Sequence, residues 1–404
     1  MRIAIDLTSL YARKRTGIEM YAIDLYRALL STSHEIIPIF HVKNELDNNP
    51  NAFIIGESNR IILENIRLSL AVRKINPDVA LFPVFPPPID LCLGFNGKVM
   101  PTQHDCTFLK FRDTLNFAAK YYLTPKMLWA FKWVDGIITI SETEKKQLSV
   151  YTKKPIYNLG ENIAIGFKGA SEKANLQLLE KWNLRPESYY ISVSTIEPRK
   201  NFKYLLKVIA PILKDRNKKL VLVGREGWGD DEELKALIEQ MKDYLIFTNY
   251  VSDDELISLY HYAYAFALLS LDEGFGRTPF EAVACGCKHI ILSDIEIFHE
   301  TFDNNATFLP LNNEEEARKN LLADKNNEIN NDFKIPRRKF KHSKQKILSR
   351  NHDKNYRKSI KRRLQILRLE CNVRRLRRCK NKRSSICQCN KRTKTRKRQH
   401  SVNA

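Results

Sequence analysis

Long apolar runs are missing from this chain of 404 residues. It contains no stretch of about 18 consecutive apolar residues, so no segment is predicted to span a membrane. The amino-terminal MRIAIDLTSL also lacks the signal-peptide pattern, because acidic Asp6 interrupts its apolar run. Cysteine is scarce, and the cysteines of residues 1–333 lie in apolar or small-residue contexts that are typical of reduced thiols. We therefore expect a cytoplasmic protein.

Acidic residues are nearly absent from the last part of the chain. Residues 334–404 hold 28 of the 68 lysines and arginines but only 2 of the 46 acidic residues, so residues 1–333 are close to neutral. The basicity therefore belongs to a tail. Its only aromatic residues are Phe340 and Tyr356, whereas binding of single-stranded nucleic acid uses a series of stacking rings. We expect no specific nucleic-acid partner.

Short β-rich runs alternate with helical patterns in two blocks, before and after a mixed stretch at residues 160–187. Strands separated by helices indicate parallel sheets built from βαβ units. The sequence predicts an α/β protein with two doubly wound, Rossmann-like sheets facing across a cleft. The predicted domains are residues 1–168 and 169–333, followed by the basic tail at 334–404.

A cationic pair follows the first strand of the second block. Arg199 and Lys200, in STIEPRKNF, precede a predicted helix, whose free N–H groups and dipole favour an anion. Two solvated charges in a first helical turn are the alternative interpretation. We favour an anion site.

The segment EGFGRTPFEAVACG, residues 273–286, follows a later strand of the same block. Glu273 falls in a loop that Gly274 and Gly276 keep open, and Glu281 lies eight residues further along. Two carboxylates at this spacing can bind sugar and ribose hydroxyls. A helix amino terminus that carries favourable acidic residues is the alternative, and composition alone does not decide between them.

Other polar positions give weaker signals. His104 and Asp105 follow a strand of the first block, and Gly17 precedes its first helix. The acidic runs GWGDDEEL and VSDDEL are assigned to helix capping, and Ser141 and Glu144 form a further Ser-x-x-Glu capping pattern. We predict no metal site.

Taken together, EPRKN, LVLVGREGWGDDEEL, YVSDDELISLY and EGFGRTPFEAVACG resemble the retaining nucleotide-sugar glycosyltransferases of family 4, which have the GT-B fold. The resemblance runs from the amino terminus to about Leu311. The chain is most similar to bacterial mannosyltransferases that build O-antigen and other surface polysaccharides.

The resemblance implies a donor site on the second half. Arg199 and Lys200 are expected to bind the donor diphosphate, and Glu281 the ribose. Glu273, with the Phe275–Gly276 backbone, is expected to contact the donor sugar.

The first half is expected to complete this site. His104 would meet the transferred sugar, so that His104 and Glu273 are the predicted catalytic residues. Gly17 would lie near the phosphates, although Glu19 stands near the place of a second glycine common in the family. Arg277 is also unusual, because apolar residues are common at its position. The remaining predicted substrate-binding residues are Asp105, Arg277 and Thr278.

The reaction implied is transfer of a hexose from a nucleotide-diphosphate sugar to a glycan or lipid-linked acceptor, with retention of anomeric configuration. The resemblance favours mannose, and GDP-mannose over UDP-sugars, with cations replacing a metal ion. Contact with the inner face of the plasma membrane would fit a lipid-linked acceptor. The alternatives are a nucleotide-sugar epimerase or hydrolase of the same fold, or an inactive frameshifted copy.

The tail departs from the family, whose members continue with packed helices. A frameshift that replaced the native carboxyl terminus is the interpretation we favour. A basic amphipathic helix with Ile360, Leu364 and Leu367 at helical spacing is the second hypothesis. A nucleic-acid arm or a metal site is the third, although the four tail cysteines lack standard zinc spacing.

Limited proteolysis distinguishes these hypotheses for the tail. If a frameshift created residues 334–404, a protease should remove them rapidly and leave a stable core, because the segment is too charged to pack. The trimmed protein should bind anionic liposomes as well as the full chain does. A protected tail, or liposome binding that vanishes on trimming, would contradict the frameshift.

Overall fold

The computed structural model describes residues 1–10, 16–43, 46, 48–56, 59–112, 115, 117–161, 167, 170–225 and 231–323. The chain divides into two compact units, one with Met1–Arg27 and His34–Lys344 and the other with Ala28–Ser33 and Gln345–Ala404. Of the second unit, only Ala28–Ser33 is described, and it comprises the end of a helix and the turn after it. Both sheets belong to the first unit. The predictions for the tail and for both domain boundaries lie outside the described residues and stay predictions.

The first sheet has seven parallel strands in the order β3-β2-β1-β4-β5-β6-β7. Its strands are β1 (Arg2–Asp6), β2 (Glu35–Phe40), β3 (Phe53–Ile54), β4 (Val79–Phe82), β5 (Lys98–Gln103), β6 (Ile137–Thr139) and β7 (Ile156–Asn158). The order reverses direction between β1 and β4, which makes their carboxyl ends the switch point of this sheet.

The second sheet has six parallel strands in the order β10-β9-β8-β11-β12-β13. Its strands are β8 (Tyr189–Val193), β9 (Lys219–Val223), β10 (Leu245–Asn249), β11 (Ala265–Leu268), β12 (Ile290–Ser293) and β13 (Thr307–Leu309). Its switch point lies between β8 and β11. The two parallel sheets confirm the predicted α/β fold class.

Helices connect the strands, as the alternating pattern predicts. Those of the first half are α1 (Gly17–Leu30), α2 (Arg60–Ile62), α3 (Leu68–Ile75), α4 (Ile89–Gly94), α5 (Thr107–Lys110), α6 (Thr124–Trp133) and α7 (Glu142–Leu148). Those of the second half are α8 (Phe202–Asp215), α9 (Glu232–Gln240), α10 (Asp253–His261), α11 (Arg277–Ala284), α12 (Glu296–Phe302) and α13 (Glu314–Ala323). Among the described residues, none of these helices combines the length and apolar character that crossing a bilayer requires.

Several irregular helical turns interrupt this scheme. The π-helical turns Leu63–Arg67 and Ala119–Leu123 run directly into α3 and α6. The 3-10 turns Ala170–Lys173 and Leu176–Trp182 lie in the stretch between the two sheets, where the sequence shows no clear period.

Strand β11 shows how the apolar runs build the core. Successive side chains of a strand point to opposite faces. Phe266 and Leu268 accordingly pack into the core on one face of the second sheet, whereas Ala265 and Ala267 pack into the core on the other. All four are at most 1% exposed. A strand buried on both faces is typical of a parallel sheet covered by helices.

The two halves of the first unit meet through Gly274, which follows β11. The Gly274 carbonyl accepts a hydrogen bond from Ser141 Oγ at 3.0 Å. A Cβ atom on Gly274 would lie 2.1 Å from the His104 carbonyl oxygen. Lys110 Nζ and Asp272 Oδ1 add an ion pair of 2.7 Å across the same junction. The junction therefore leaves no room for a side chain at Gly274.

We expect Gly274→Ala to destabilise the protein by about 1–3 kcal/mol, because the added methyl would push the Gly274 backbone away from the His104 carbonyl. Thermal or urea unfolding measures the loss. Gly94→Ala is the matched control, since a Cβ there meets no described atom within 4 Å. If the two variants had the same free energy of unfolding, the close contact between Gly274 and His104 would not contribute to stability.

Candidate active site

The loops after β8 and β11 meet at the switch point of the second sheet. The first loop carries Arg199 and Lys200 in a 3-10 turn, Pro198–Lys200, and α8 begins after Asn201. The second loop carries Glu273. A backbone hydrogen bond of 2.8 Å from Leu271 N to the Arg199 carbonyl oxygen joins the loops. The sheet order thus brings together residues that are 74 positions apart.

Glu273 accepts hydrogen bonds from both cations. Its Oε1 accepts from Lys200 Nζ at 2.5 Å and from Ser270 Oγ at 2.7 Å. Its Oε2 accepts from an Arg199 guanidinium nitrogen at 3.1 Å. Glu273 is 6% exposed. Arg199 and Lys200 thus bond to a carboxylate of the chain itself, and the diphosphate site expected beside them stays a prediction.

The charge of Glu273 is fixed by these partners. Burial acts to raise the pKa of the carboxyl, but the charges of Lys200 and Arg199 outweigh it and hold the pKa below its usual value. Arg199 is oriented further by its bonds to the Asp272 carbonyl at 3.0 Å and to Glu197 Oε1 at 2.8 Å. A glutamate with depressed pKa acts as a hydrogen-bond acceptor, not as an acid.

Helix α11 begins directly after this loop. Gly276 adopts φ +78°, and a Cβ there would lie 2.5 Å from Phe298 Cε1, so glycine is required at the turn. Phe275 stacks on Phe280 with ring centroids 5.0 Å apart. Thr278 is half-buried in the first turn of α11.

Arg277 joins the other predicted residues of the donor site. Its guanidinium pairs with Glu161 Oε1 at 2.5 Å and lies 3.9 Å from Glu281 Oε1. It also donates to the Gly17 carbonyl at 3.4 Å. Burial raises the pKa of Glu281, and the positive charge of Arg277 opposes that shift. The structure thus places Gly17, Arg277 and Glu281 together.

His104 lies at the carboxyl end of β5. Its Nε2 is 2.7 Å from the Pro83 carbonyl oxygen, so Nε2 carries a proton and donates to that oxygen. Its ring meets Tyr21 edge to face at 4.8 Å. The Asp105 carboxylate accepts from Thr107 N at 3.2 Å, within its own loop. A Cβ atom on Gly274 would lie 3.1 Å from Asp105 Cβ. His104 and Asp105 therefore lie beside the loop that carries Glu273.

The acidic runs have the capping role that the sequence predicts. Ser252 and Glu255 form a complete capping box at α10. Asp231 caps α9 by accepting from Leu234 N at 3.0 Å, whereas Asp230 lies outside the described residues. In the described part of the chain, no three His, Cys, Asp or Glu side chains form a group that could hold a metal ion.

Sequence reasoning missed three charged residues of this region. Glu161 and Lys110 contact Arg277 and Asp272 from distant positions of the chain, and neither lies in a motif. Glu144 belongs to the predicted Ser-x-x-Glu pattern, and Ser141 Oγ does accept from Glu144 N at 3.0 Å. However, the Glu144 side chain is buried, with 1% exposure. Burial, and then the nearby charge of Asp105, raise its pKa to about 8.

Comparisons with known proteins find relatives for part of this chain. Residues 177–341 match the family of glycosyl transferases group 1. The O-antigen chain mannosyltransferase RfbU of Salmonella typhimurium is 29% identical over 209 residues, which cover 52% of this chain and 55% of RfbU. The chain thus spans about half the length of this curated relative. The predicted family resemblance is confirmed for the glycosyltransferase domain.

Solved structures share the fold. Sucrose-phosphate synthase from Thermosynechococcus elongatus has a TM-score of 0.60 at 16% identity, and the alignment covers 92% of this chain and 98% of that one. HepE of Anabaena in complex with UDP-glucose has a TM-score of 0.57 at 13% identity, covering 80% and 89%. These similarities confirm the predicted GT-B fold.

The buried Glu144 predicts a pH dependence of stability. Because its folded pKa, about 8, lies above its unfolded value, folding binds a proton between pH 4.5 and 8. The stability it contributes is complete below the unfolded pKa and is lost as pH rises, by at most about 1.4 kcal/mol per pH unit.

Glu144→Gln should therefore unfold at higher urea concentration than the wild type at pH 8, but not at pH 4.5. Glu142→Gln, on the exposed side of α7, is the control. Parallel curves for wild type and Glu144→Gln would show that Glu144 is ionised.

Proposed function

We propose that this protein transfers mannose from GDP-mannose to a glycan or lipid-linked acceptor, with retention of anomeric configuration, in the synthesis of a surface polysaccharide. The observation that carries the proposal is the convergence of Arg199, Lys200 and Glu273 at the switch point of the second sheet, within the matched glycosyltransferase domain. Ligands of open α/β sheets bind at such points.

The cations retain donors for a diphosphate. An ammonium group has three N–H donors and a guanidinium has five. In the described part of the chain Lys200 Nζ gives one hydrogen bond, to Glu273, so an incoming phosphate can bind without breaking that pair. Lys200 and Arg199 then stabilise the negative charge that grows on the departing nucleoside diphosphate. This role replaces that of a metal ion.

Glu273 binds the donor sugar in this mechanism. Its two oxygens offer about four acceptor positions, of which three are used by Lys200, Arg199 and Ser270. The remaining position can accept a sugar hydroxyl. Glu281 binds the ribose hydroxyls, and His104 contacts the transferred sugar from the other half. The leaving phosphate takes the proton of the attacking acceptor hydroxyl on the same face, which gives retention.

The substrate classes come from the relatives. RfbU is an O-antigen chain mannosyltransferase, and this supports mannose and a polysaccharide acceptor. HepE binds UDP-glucose in a fold of the same type, and this supports a nucleotide-sugar donor. A lipid-linked acceptor would place the protein at the inner face of the plasma membrane.

We expect Lys200→Met to lower kcat/KM for GDP-mannose by about tenfold to a hundredfold, because losing a hydrogen bond to a charged group costs about 1.5–3 kcal/mol. GDP release in the presence of mannose-terminated glycans is the measurement, and NMR of the product gives the anomeric configuration. Lys203→Met is the matched control, since Lys203 pairs with Asp231 and Glu233 and not with Glu273.

Each part of the proposal fails on a different result. Wild-type turnover in folded Lys200→Met would exclude the diphosphate role of Lys200. Loss of activity in EDTA with recovery in Mg²⁺ would show that the cations do not replace a metal. An inverted product would exclude retention, and turnover with UDP-glucose alone would exclude GDP-mannose.

A further inference from the structure

One guanidinium lies between two carboxylates at the start of α11. Arg277 Nη1 pairs with Glu161 Oε1 at 2.5 Å, whereas Arg277 Nε is 3.9 Å from Glu281 Oε1, which is too far for a hydrogen bond. The side chains of Arg277, Glu161 and Glu281 are 13%, 4% and 12% exposed. Two largely buried carboxylates thus share one cation. The proposed mechanism places Glu281 at the ribose but leaves Arg277 and Glu161 without a stated role.

Glu281 differs from Glu273 in how its carboxylate is bonded. Glu273 accepts hydrogen bonds from Lys200, Arg199 and Ser270 at 2.5–3.1 Å. Within the described ranges, the Glu281 carboxylate accepts one hydrogen bond, from the Tyr260 hydroxyl at the long distance of 3.5 Å. A carboxylate offers about four acceptor positions. Glu281 therefore keeps acceptor positions for two further hydroxyl donors, such as the two neighbouring hydroxyls of a ribose.

The bond to Glu161 explains why Arg277 leaves these positions open. A guanidinium beside a carboxylate frequently makes two parallel hydrogen bonds to it, and such a contact would occupy the oxygens of Glu281. Because Glu161 holds the guanidinium at 3.9 Å from Glu281, only the charge of Arg277 acts there. Burial raises the pKa of Glu281, and the positive charge of Arg277 opposes that shift. Arg277 thus favours the ionised carboxylate without occupying it.

The first half of the fold also restrains Arg277. Arg277 Nη1 donates to the Gly17 carbonyl at 3.4 Å, and a Cβ on Gly17 would lie 3.3 Å from Arg277 Cδ. Gly17 begins α1, and the negative charge of Asp24 on the same helix acts on Arg277. Partners on two sides therefore restrict the movement of the guanidinium towards Glu281.

We propose that Arg277 and Glu161 are positioning residues for the ribose of the donor. Glu161 holds Arg277 where its charge favours an ionised Glu281 and where its N–H groups do not compete with the ribose hydroxyls. The inference rests on the proposed function and deepens the part of Glu281 in it. It does not depend on the base, because GDP and UDP carry the same ribose. The other titratable groups around this trio are Tyr260, Asp253, Cys285 and Asp24.

The ribose hydroxyls provide a direct test. Isothermal titration calorimetry gives the dissociation constants of GDP and of 2′,3′-dideoxy-GDP, which lacks both hydroxyls. We expect the wild type to bind GDP about tenfold or more tightly than the dideoxy analogue, because the hydroxyls bond to a charged group. Arg277→Met should lose most of this preference, and Arg277→Lys, which keeps the charge, should retain part of it. The phosphates of the two nucleotides titrate alike, so the ratio of the constants reports the ribose contact.

The pH dependence of this ratio separates positioning from a merely structural role. Protonation of Glu281 removes acceptor positions, so the preference for GDP should fall as pH falls through the pKa of Glu281. Without the charge of Arg277 that pKa rises further, and Arg277→Met should show its weakest preference at about pH 6 and recover part of it at about pH 8.5. A loss of equal size at every pH would indicate a structural role and overturn the proposal.

Glu161→Met tests the second half of the proposal. Once Glu161 is removed, Arg277 is expected to bond to Glu281 itself and to compete with the ribose. The preference for GDP should therefore fall, and alkaline pH should not restore it. If Arg277→Met does not fold, Glu161→Met decides, because Arg277 then still has a carboxylate partner.

Arg318→Met is the matched control. The hydrogen bonds of Arg318 in the described part of the chain go to Glu314 and to the Lys207 carbonyl. This variant should keep the wild-type ratio at each pH. A change as large as that of Arg277→Met would show that loss of any arginine of this half disturbs the site, and would overturn the specific role of Arg277.

UDP and 2′,3′-dideoxy-UDP are measured in parallel, so that failure of the inference and failure of the proposed function differ. Binding of UDP but not of GDP would contradict GDP-mannose as the donor, and the UDP pair would then decide the role of Arg277. Binding of neither nucleotide, or equal affinity of the wild type for a nucleotide and its dideoxy analogue, would contradict both proposals. A wild-type ratio in folded Arg277→Met or Glu161→Met would overturn the inference alone.

Discussion

The pairing of Glu273 with Lys200 and Arg199 is the interaction on which the candidate active site depends. A carboxylate that is 6% exposed is stable in a protein only when cations and donors surround it. Here the cations come from the loop after β8 and the carboxylate from the loop after β11, so satisfying the charge also fixes the two loops. Removing Lys200 would leave the buried Glu273 carboxylate with one cation fewer, and removing Glu273 would take from Lys200 Nζ the one hydrogen bond it makes to a described residue. The pair thus orders the switch point before any substrate arrives.

The residues directly after Glu273 form contacts between the two halves of the first unit. Gly274 lets the loop approach His104, and Gly276 turns the chain so that α11 begins at Arg277. Arg277 then reaches Glu161 and Gly17. The close approach to His104 requires glycine at 274 and the positive φ requires glycine at 276, which explains why two glycines stand beside the carboxylate. Residues 273–277 therefore both carry the carboxylate of the candidate active site and pack the two halves together.

Much of this arrangement could be predicted from the sequence, because its signals are local. Apolar β-rich runs gave most strands, and the Ser-x-x-Glu pattern gave the cap of α10. The edge strands β3 and β13 were not predicted, and β3, with two residues, is too short to show a period. The partnership of Arg277 with Glu161 was missed because it joins positions 116 apart. Glu144 shows the limit of a local pattern: its backbone follows the predicted cap, but tertiary packing buries its side chain.

The two switch points hold their charges in different ways, and this difference bears on how each could act. At the second sheet, every oxygen of Glu273 has a donor, so the cations are already placed for charge that develops during a reaction. Such placement suits the end of the molecule where a bond breaks and a negative group departs. At the first sheet, the buried atoms Lys126 Nζ and Glu64 Oε2 have no hydrogen-bond partner among the described residues. Buried charges that lack hydrogen-bond partners lower the stability of the fold, whereas those at the second sheet are matched. The second switch point is therefore the one prepared for a reaction in which a negative group departs.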